Sequence, residues 1–84
     1  MDHIKTIKFK WNNDEYDIKL SLVGNNLIEA DFVAEGFLND KLVYKAVPTN
    51  AFKAIIESME TGEHPLKEII TLIKYNIKQG FNKV

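Results

Sequence analysis

The spacing of apolar residues changes once along this chain, at Pro48, and nothing else in the sequence constrains the fold as strongly. Before Pro48 apolar side chains recur at every second position, and after it at every third or fourth. A period of two belongs to a strand with one buried face; a period near 3.6 belongs to an amphipathic helix. Strands therefore come first and helices last, which is an α+β order.

The first two strands are the clearest. Ile7, Phe9 and Trp11 alternate with Thr6, Lys8 and Lys10, and then Tyr16, Ile18, Leu20 and Leu22 alternate with Asp17, Lys19 and Ser21. Asn13-Asp14 is the expected turn between them, because both residues tolerate the left-handed conformation of a tight hairpin. That turn sets Trp11 against Tyr16, Phe9 against Ile18 and Ile7 against Leu20. A three-residue loop, Gly24-Asn25-Asn26, then sets Leu22 against Ile28, Leu20 against Ala30 and Ile18 against Phe32. The third strand runs on to Leu38 with Ala30, Phe32 and Ala34 inward, small enough to let a helix approach. Asn39-Asp40-Lys41 makes the next turn. A fourth strand over residues 42–47 follows, with Leu42, Tyr44 and Ala46 inward and Val43, Lys45 and Val47 outward.

Beyond Pro48, Thr49 or Asn50 is placed to cap a helix whose apolar face is Ala51, Phe52, Ile55, Ile56 and Met59, ending at Gly62. Pro65 suits the first position of a second helix, which presents Leu66, Ile69, Ile70, Ile73 and Ile77 on one face, with Phe81 near its end. Lys67, Thr71, Lys74 and Lys78 form that helix's polar stripe, the later lysines complementing its dipole. The short break at residues 62–64 makes the helices near neighbours. The expected architecture is a four-stranded antiparallel β-meander in the order 1-2-3-4, followed by two C-terminal helices packed on one face. Residues 1–84 form one small globular domain, with Lys8 and Lys10 guarding the first edge.

Composition narrows the functional classes. All eleven basic residues are lysine and twelve are acidic, for a net charge of -1. Without arginine the chain has no fork for bidentate capture of phosphate or guanine edges. Ten isoleucines and eight asparagines, with lysine in place of arginine, point to an A/T-rich coding sequence of a low-GC bacterium or its phage. The absence of cysteine removes disulfides and thiolate metal sites, and fits a cytoplasmic location. No apolar run approaches the ~18 residues of a membrane span.

Few residues point to chemistry. No phosphate loop, nucleophile elbow or metalloprotease motif is present, and Ser21 and Ser58 lack a base nearby in sequence, so no catalytic residue is assigned. His64 lies near Glu57, Glu60 and Glu63, but reads as a histidine in a surface turn. Met1-Asp2-His3 has the amine, amide and imidazole nitrogens of a tetragonal Cu(II) or Ni(II) site, a capacity shared by any chain with a third-position histidine. No metal or cofactor is expected. Phe9, Trp11, Tyr16, Phe32 and Tyr44 share the face that the helices should cover, so they read as core before they read as a base-stacking platform.

The helix-free sheet face carries the remaining signal. Val33, Phe37, Val43 and Val47 fall on it together, rimmed by Glu29, Asp31, Glu35 and Lys45. An apolar centre inside a charged rim is the anatomy of a protein contact. The expected function is a small non-enzymatic interaction module, an inhibitor or regulator of a larger protein or a homodimer, using this face and the edge of the fourth strand. The alternative is a binder of single-stranded nucleic acid that uses the sheet lysines and aromatics. Against it, Asp17, Glu29, Asp31 and Glu35 interrupt Lys8, Lys10, Lys19 and Lys45, which makes a poor phosphate track.

Overall fold

Two tight turns and one longer loop set the sheet in this computed structural model, which describes residues 2–84. Strand β1 (Asp2–Trp11) turns at Asn12-Asn13 into β2 (Asp14–Val23), and both turn residues have positive φ, 51° and 67°. Asparagine tolerates that conformation at both positions, so Asp14 is released to begin the strand. Trp11 consequently faces Asp14, Phe9 faces Tyr16, Ile7 faces Ile18 and Lys5 faces Leu20. The register differs by two residues from the one expected of an Asn13-Asp14 turn. Two residues is one full side-chain period, so every apolar residue keeps its face.

The second connection departs further. No three-residue loop forms. Residues 24–30 fold instead into a compact loop in which Asn26 Oδ1 accepts the Glu29 N–H and its carbonyl accepts the Ala30 N–H. Gly24 closes it with φ of 144°, and a Cβ there would lie 2.6 Å from the Ala30 Cα. Only glycine permits that approach. Strand β3 (Asp31–Leu38) then pairs Phe32 with Leu22, Ala34 with Leu20 and Gly36 with Ile18, a shift of four that again preserves the faces. Leu27 and Ile28 are left exposed.

The third turn is Asn39-Asp40, with φ of 51° and 64°, and leads into β4 (Lys41–Lys45). Phe37 pairs with Leu42 but Gly36 pairs with Tyr44, so Val43 is an extra residue on β4. This bulge overturns two face assignments. Leu42 stands beside Phe37 on the open face, and Val43 packs against the core. Tyr44 and Ala46 are buried, as expected. A short strand β5 (Thr49–Asn50) pairs with the start of β3, beyond the end of β4.

The sheet order is β1-β2-β3-β4, antiparallel throughout, and helices α1 (Ala51–Thr61) and α2 (Lys67–Gln79) follow. The fold is the expected α+β meander with two C-terminal helices. Asn50 caps α1 by accepting the Lys53 N–H at 2.9 Å, and Gly62 ends it. Pro65 lies in the turn before α2 rather than in its first position, and the imidazole Nδ1 of His64 accepts the Leu66 N–H there. Helix α2 lies across β3, β4 and β1, while α1 rests mainly on β5 and β3. Among the described residues no helix is long and apolar enough to cross a membrane.

Ile69, Ile73 and Ile77 of α2 are buried against Ile18, Leu20, Phe32 and Ala34. Ile77 reaches so far into the sheet that its Cδ1 would lie 3.3 Å from a Cβ on Gly36. Asn76, also buried, donates Nδ2–H to the Lys45 carbonyl, satisfying both groups. The chain's last residues cover the outer edge of β4: the Lys45 N–H donates to the Asn82 carbonyl and the Val84 N–H to the Val43 carbonyl. The fourth-strand edge is therefore occupied by the chain itself, and β1 is the sheet's open edge.

Position on that edge decides how much β1 contributes to the core. Phe9 is half-buried and Trp11 is 36% exposed, although both lie on the helix-covered face. Ile73, by contrast, has no exposed surface. Truncating a buried isoleucine to alanine costs about 2–5 kcal/mol. Chemical denaturation should place Ile73→Ala in that range and Trp11→Ala below about 2 kcal/mol. The reverse ranking would mean that Trp11, not α2, anchors the core.

Candidate interaction surfaces

Cross-strand register lays out the helix-free face row by row. Lys8, Asp17, Phe37 and Leu42 form one row; Thr6, Lys19, Glu35 and Lys45 form the next; His3, Ser21 and Val33 form a third. Val23 and Asp31 close the face. Of the residues expected to make a contact here, Asp31, Val33, Glu35, Phe37 and Lys45 do share it. Glu29 lies in the loop, where it meets Asn26. Val43 is turned inward by the bulge, and Val47 lies beyond β4, 67% exposed, next to residues 82–84.

The patch is therefore not contiguous. The charged row Lys19-Glu35-Lys45 separates Val33 from Phe37 and Leu42. The Lys19 ammonium also sits 4.3 Å from the centroid of the Phe37 ring, covering part of it. Lys8 and Asp17 form an ion pair, and that hydrogen bond and charge hold the Lys8 ammonium above its ordinary 10.5.

Helix α1 shows the larger exposure. Its sheet-facing side is Ala51 and Ala54, with Ile55 half-buried, whereas Phe52 and Ile56 are each 41% exposed and Met59 is 76% exposed. These three lie at i, i+4 and i+7, along one line of the helix. Of the five residues that share the helix's apolar side, the fold covers Ala51 and part of Ile55 and leaves Phe52, Ile56 and Met59 outward. Two contacts fix the rotation of the helix. Asn50 Nδ2–H donates to the Ile28 carbonyl and the Ala51 N–H donates to the Ala30 carbonyl, each at 2.9 Å. With its first turn clamped to the loop, the helix seats its small side inward. The signal was present in the sequence, because Ala51 to Ile56 spans an arc wider than the ~100° stripe one layer covers.

A third surface lies where α2 meets the β1 edge. The Lys74 ammonium is 5.3 Å from the Phe9 ring centroid, and that of Lys78 is 5.9 Å from Phe9 and 5.5 Å from Trp11. The rest of the aromatic set is internal: Tyr16, Phe32 and Tyr44 are buried, with Tyr16 and Tyr44 edge-to-face at 6.1 Å. Tyr75 and Phe81, both exposed, contact each other at 5.7 Å on α2 and just after it.

His64 sits in a cleft between α1 and the start of α2 with Glu57, Glu63 and Glu68. Its Nδ1 is taken by the Leu66 N–H, and Glu63 pairs with Lys67, so both groups serve the chain's restart. The cleft holds about 90 Å³, well below the ~300 Å³ of a small-molecule site. His3 Nε2 lies 2.9 Å from Thr6 Oγ1. The amine of the Met1-Asp2-His3 motif lies outside the described residues.

Comparison of the chain with protein-family models, curated proteins and solved structures finds no match.

Phe37 is half-buried under Lys19 on the open face. Phe37→Ala should therefore cost less than about 2 kcal/mol, against the ~3–5 kcal/mol of a core phenylalanine. A thermal melt showing a core-sized loss would place Phe37 inside. Tyr16 behaves differently. Burial, then the neighbouring Tyr44 phenol and the Asp14 carboxylate, push its phenol above the ordinary 10.0. The folded state thus holds the proton more tightly than the unfolded chain, so this stability is fully present below pH 10.0 and lost as pH rises through the raised value. Stability measured across that alkaline range should fall less steeply in Tyr16→Phe than in the natural chain.

Proposed function

We propose that this protein is a non-enzymatic protein–protein interaction module that acts by docking rather than by chemistry. The observation that carries the reading is the outward line of α1. Phe52, Ile56 and Met59 face solvent while Ala51 and Ala54 make the helix's contact with its own sheet. Wetting three large apolar side chains in a row gains a monomer nothing, and covering them with a second protein removes that apolar area from water. The open sheet face, with Phe37 and Leu42 side by side, is a smaller surface available to the same role. Regulation or inhibition of a larger protein in the cytoplasm of a low-GC bacterium or its phage suits the cysteine-free, lysine-only composition.

Phe9 and Trp11 beside Lys74 and Lys78 support a second reading, binding of single-stranded nucleic acid by stacking and phosphate contact. The two readings differ in salt dependence, since phosphate contacts release counterions and apolar contacts do not.

The test uses a Phe52→Ser/Met59→Ser double variant. Its melting temperature should fall by less than that of Ile73→Ala, because Met59 is largely and Phe52 partly exposed, while its association with protein is lost. A labelled oligothymidine titrated at low salt should show no binding. Steep, salt-sensitive oligothymidine binding that disappears in Trp11→Ala would replace the interaction reading with the nucleic-acid one. A large loss of stability in the double variant would show that α1's outer line belongs to the core.

A further inference from the structure

We infer that the outer line of α1 is where two copies of this chain meet, the helix packing antiparallel against its own mate across a twofold axis at Ile56. The inference rests on the interaction reading above and names the partner as a second copy. Its basis is that the surface is complementary to itself. Along α1, Phe52 precedes Ile56 by one turn and Met59 follows it by nearly one turn, so an antiparallel twofold at Ile56 sets Phe52 of one copy against Met59 of the other. Thioether against aromatic ring is a favourable contact, and it forms twice.

The charges agree with the same axis. Lys53 and Glu60 are both exposed, and at 100° per residue they lie on the same flank of the apolar line, two turns apart. A twofold perpendicular to the helix keeps that flank on the same side in both copies and reverses its direction. Lys53 of each copy is then brought beside Glu60 of the other, giving two opposite-charge pairs at the rim of the contact. Glu57 points away from it, nearer the cleft with His64. A different partner would need a negative group near one end of the line and a positive group near the other; a second copy already has both. The exposed Leu27 and Ile28 lie in the loop that Asn50 and Ala51 tie to the start of α1. One helical contact is smaller than the ~1,600 Å² of a standard interface, so the dimer should be reversible and seen at micromolar or higher concentration.

Sedimentation velocity over a concentration series tests this on the whole chain. The natural protein should shift from monomer to dimer as concentration rises. Lys53→Glu alone and Glu60→Lys alone should each weaken the dimer by about tenfold or more, because each replaces two attractive pairs with two repulsive ones. The double swap, Lys53→Glu with Glu60→Lys, should restore it. A glutamate in the first turn and a lysine in the last favour the helix dipole, which offsets the i,i+4 repulsion from Glu57 that Lys53→Glu introduces, and melting curves of the same variants separate association from folding. Ile56→Asp, on the axis itself, should abolish the dimer. Because Ile56 is 41% exposed and the rest of it is covered within the fold, the melting temperature should fall modestly, and circular dichroism checks that the variant remains folded.

A natural chain that stays monomeric throughout overturns the inference, as does a dimer insensitive to these substitutions or a double swap that fails to recover it. The interaction reading fails separately. A monomer that binds a different protein, and loses it in Ile56→Asp, sinks the dimer and keeps the module. A chain in which Ile56→Asp alters neither self-association nor any other protein binding sinks both.

Discussion

The seating of α2 on the centre of the sheet is the interaction on which the rest of the molecule depends. Ile69, Ile73 and Ile77 are buried, and they reach the sheet because β3 offers Ala34 and Gly36 where larger residues would hold the helix away. This close approach buries Ile18 and Leu20 completely on the neighbouring strand. It also brings Asn76 within hydrogen-bonding distance of the Lys45 carbonyl, which joins the helix to the end of β4. From there residues 82–84 return along β4 and occupy its edge. One helix thus supplies the core and, through the residues that follow it, protects one side of the sheet.

That arrangement explains why the remaining surfaces differ. With the far edge covered, β1 is left open, and its lysines oppose strand-to-strand pairing there. Lys74 and Lys78 extend over Phe9 and Trp11, so the edge aromatics are partly shielded by the stems and charges of α2 rather than by a further layer. On the helix-free face, the pairing of Lys19, Glu35 and Lys45 across three strands divides the apolar residues. Helix α1 has no comparable cover. Its alanines already fill the space beneath it, so its larger side chains have nowhere in the fold to go.

The candidate surface was only partly legible beforehand. Val33, Phe37 and Glu35 were legible on a common face, since strand alternation alone decides that. Val43 was not, because one bulged residue reverses every assignment between it and the turn, and a bulge leaves no mark in an alternation as ambiguous as that of residues 42–47. The outward position of Phe52, Ile56 and Met59 was not legible, because a helical period shows which residues share a side but not how much of that side a neighbour covers.

The sequence by itself determined that the strands precede the helices, the order of the four main strands, the inward face of β2 and β3, and the inward row of α2. These follow from side-chain periodicity, which every residue of an element reinforces and which a register error of two or four residues leaves intact. Only the tertiary structure decided the loop lengths, the rotation of α1 and the occupant of the β4 edge. Each depends on one or two contacts between residues far apart in the chain: Gly24 against Ala30, Asn50 to Ile28, Val84 to Val43. Single contacts of that kind have no period, and their partners become neighbours only after the core has formed.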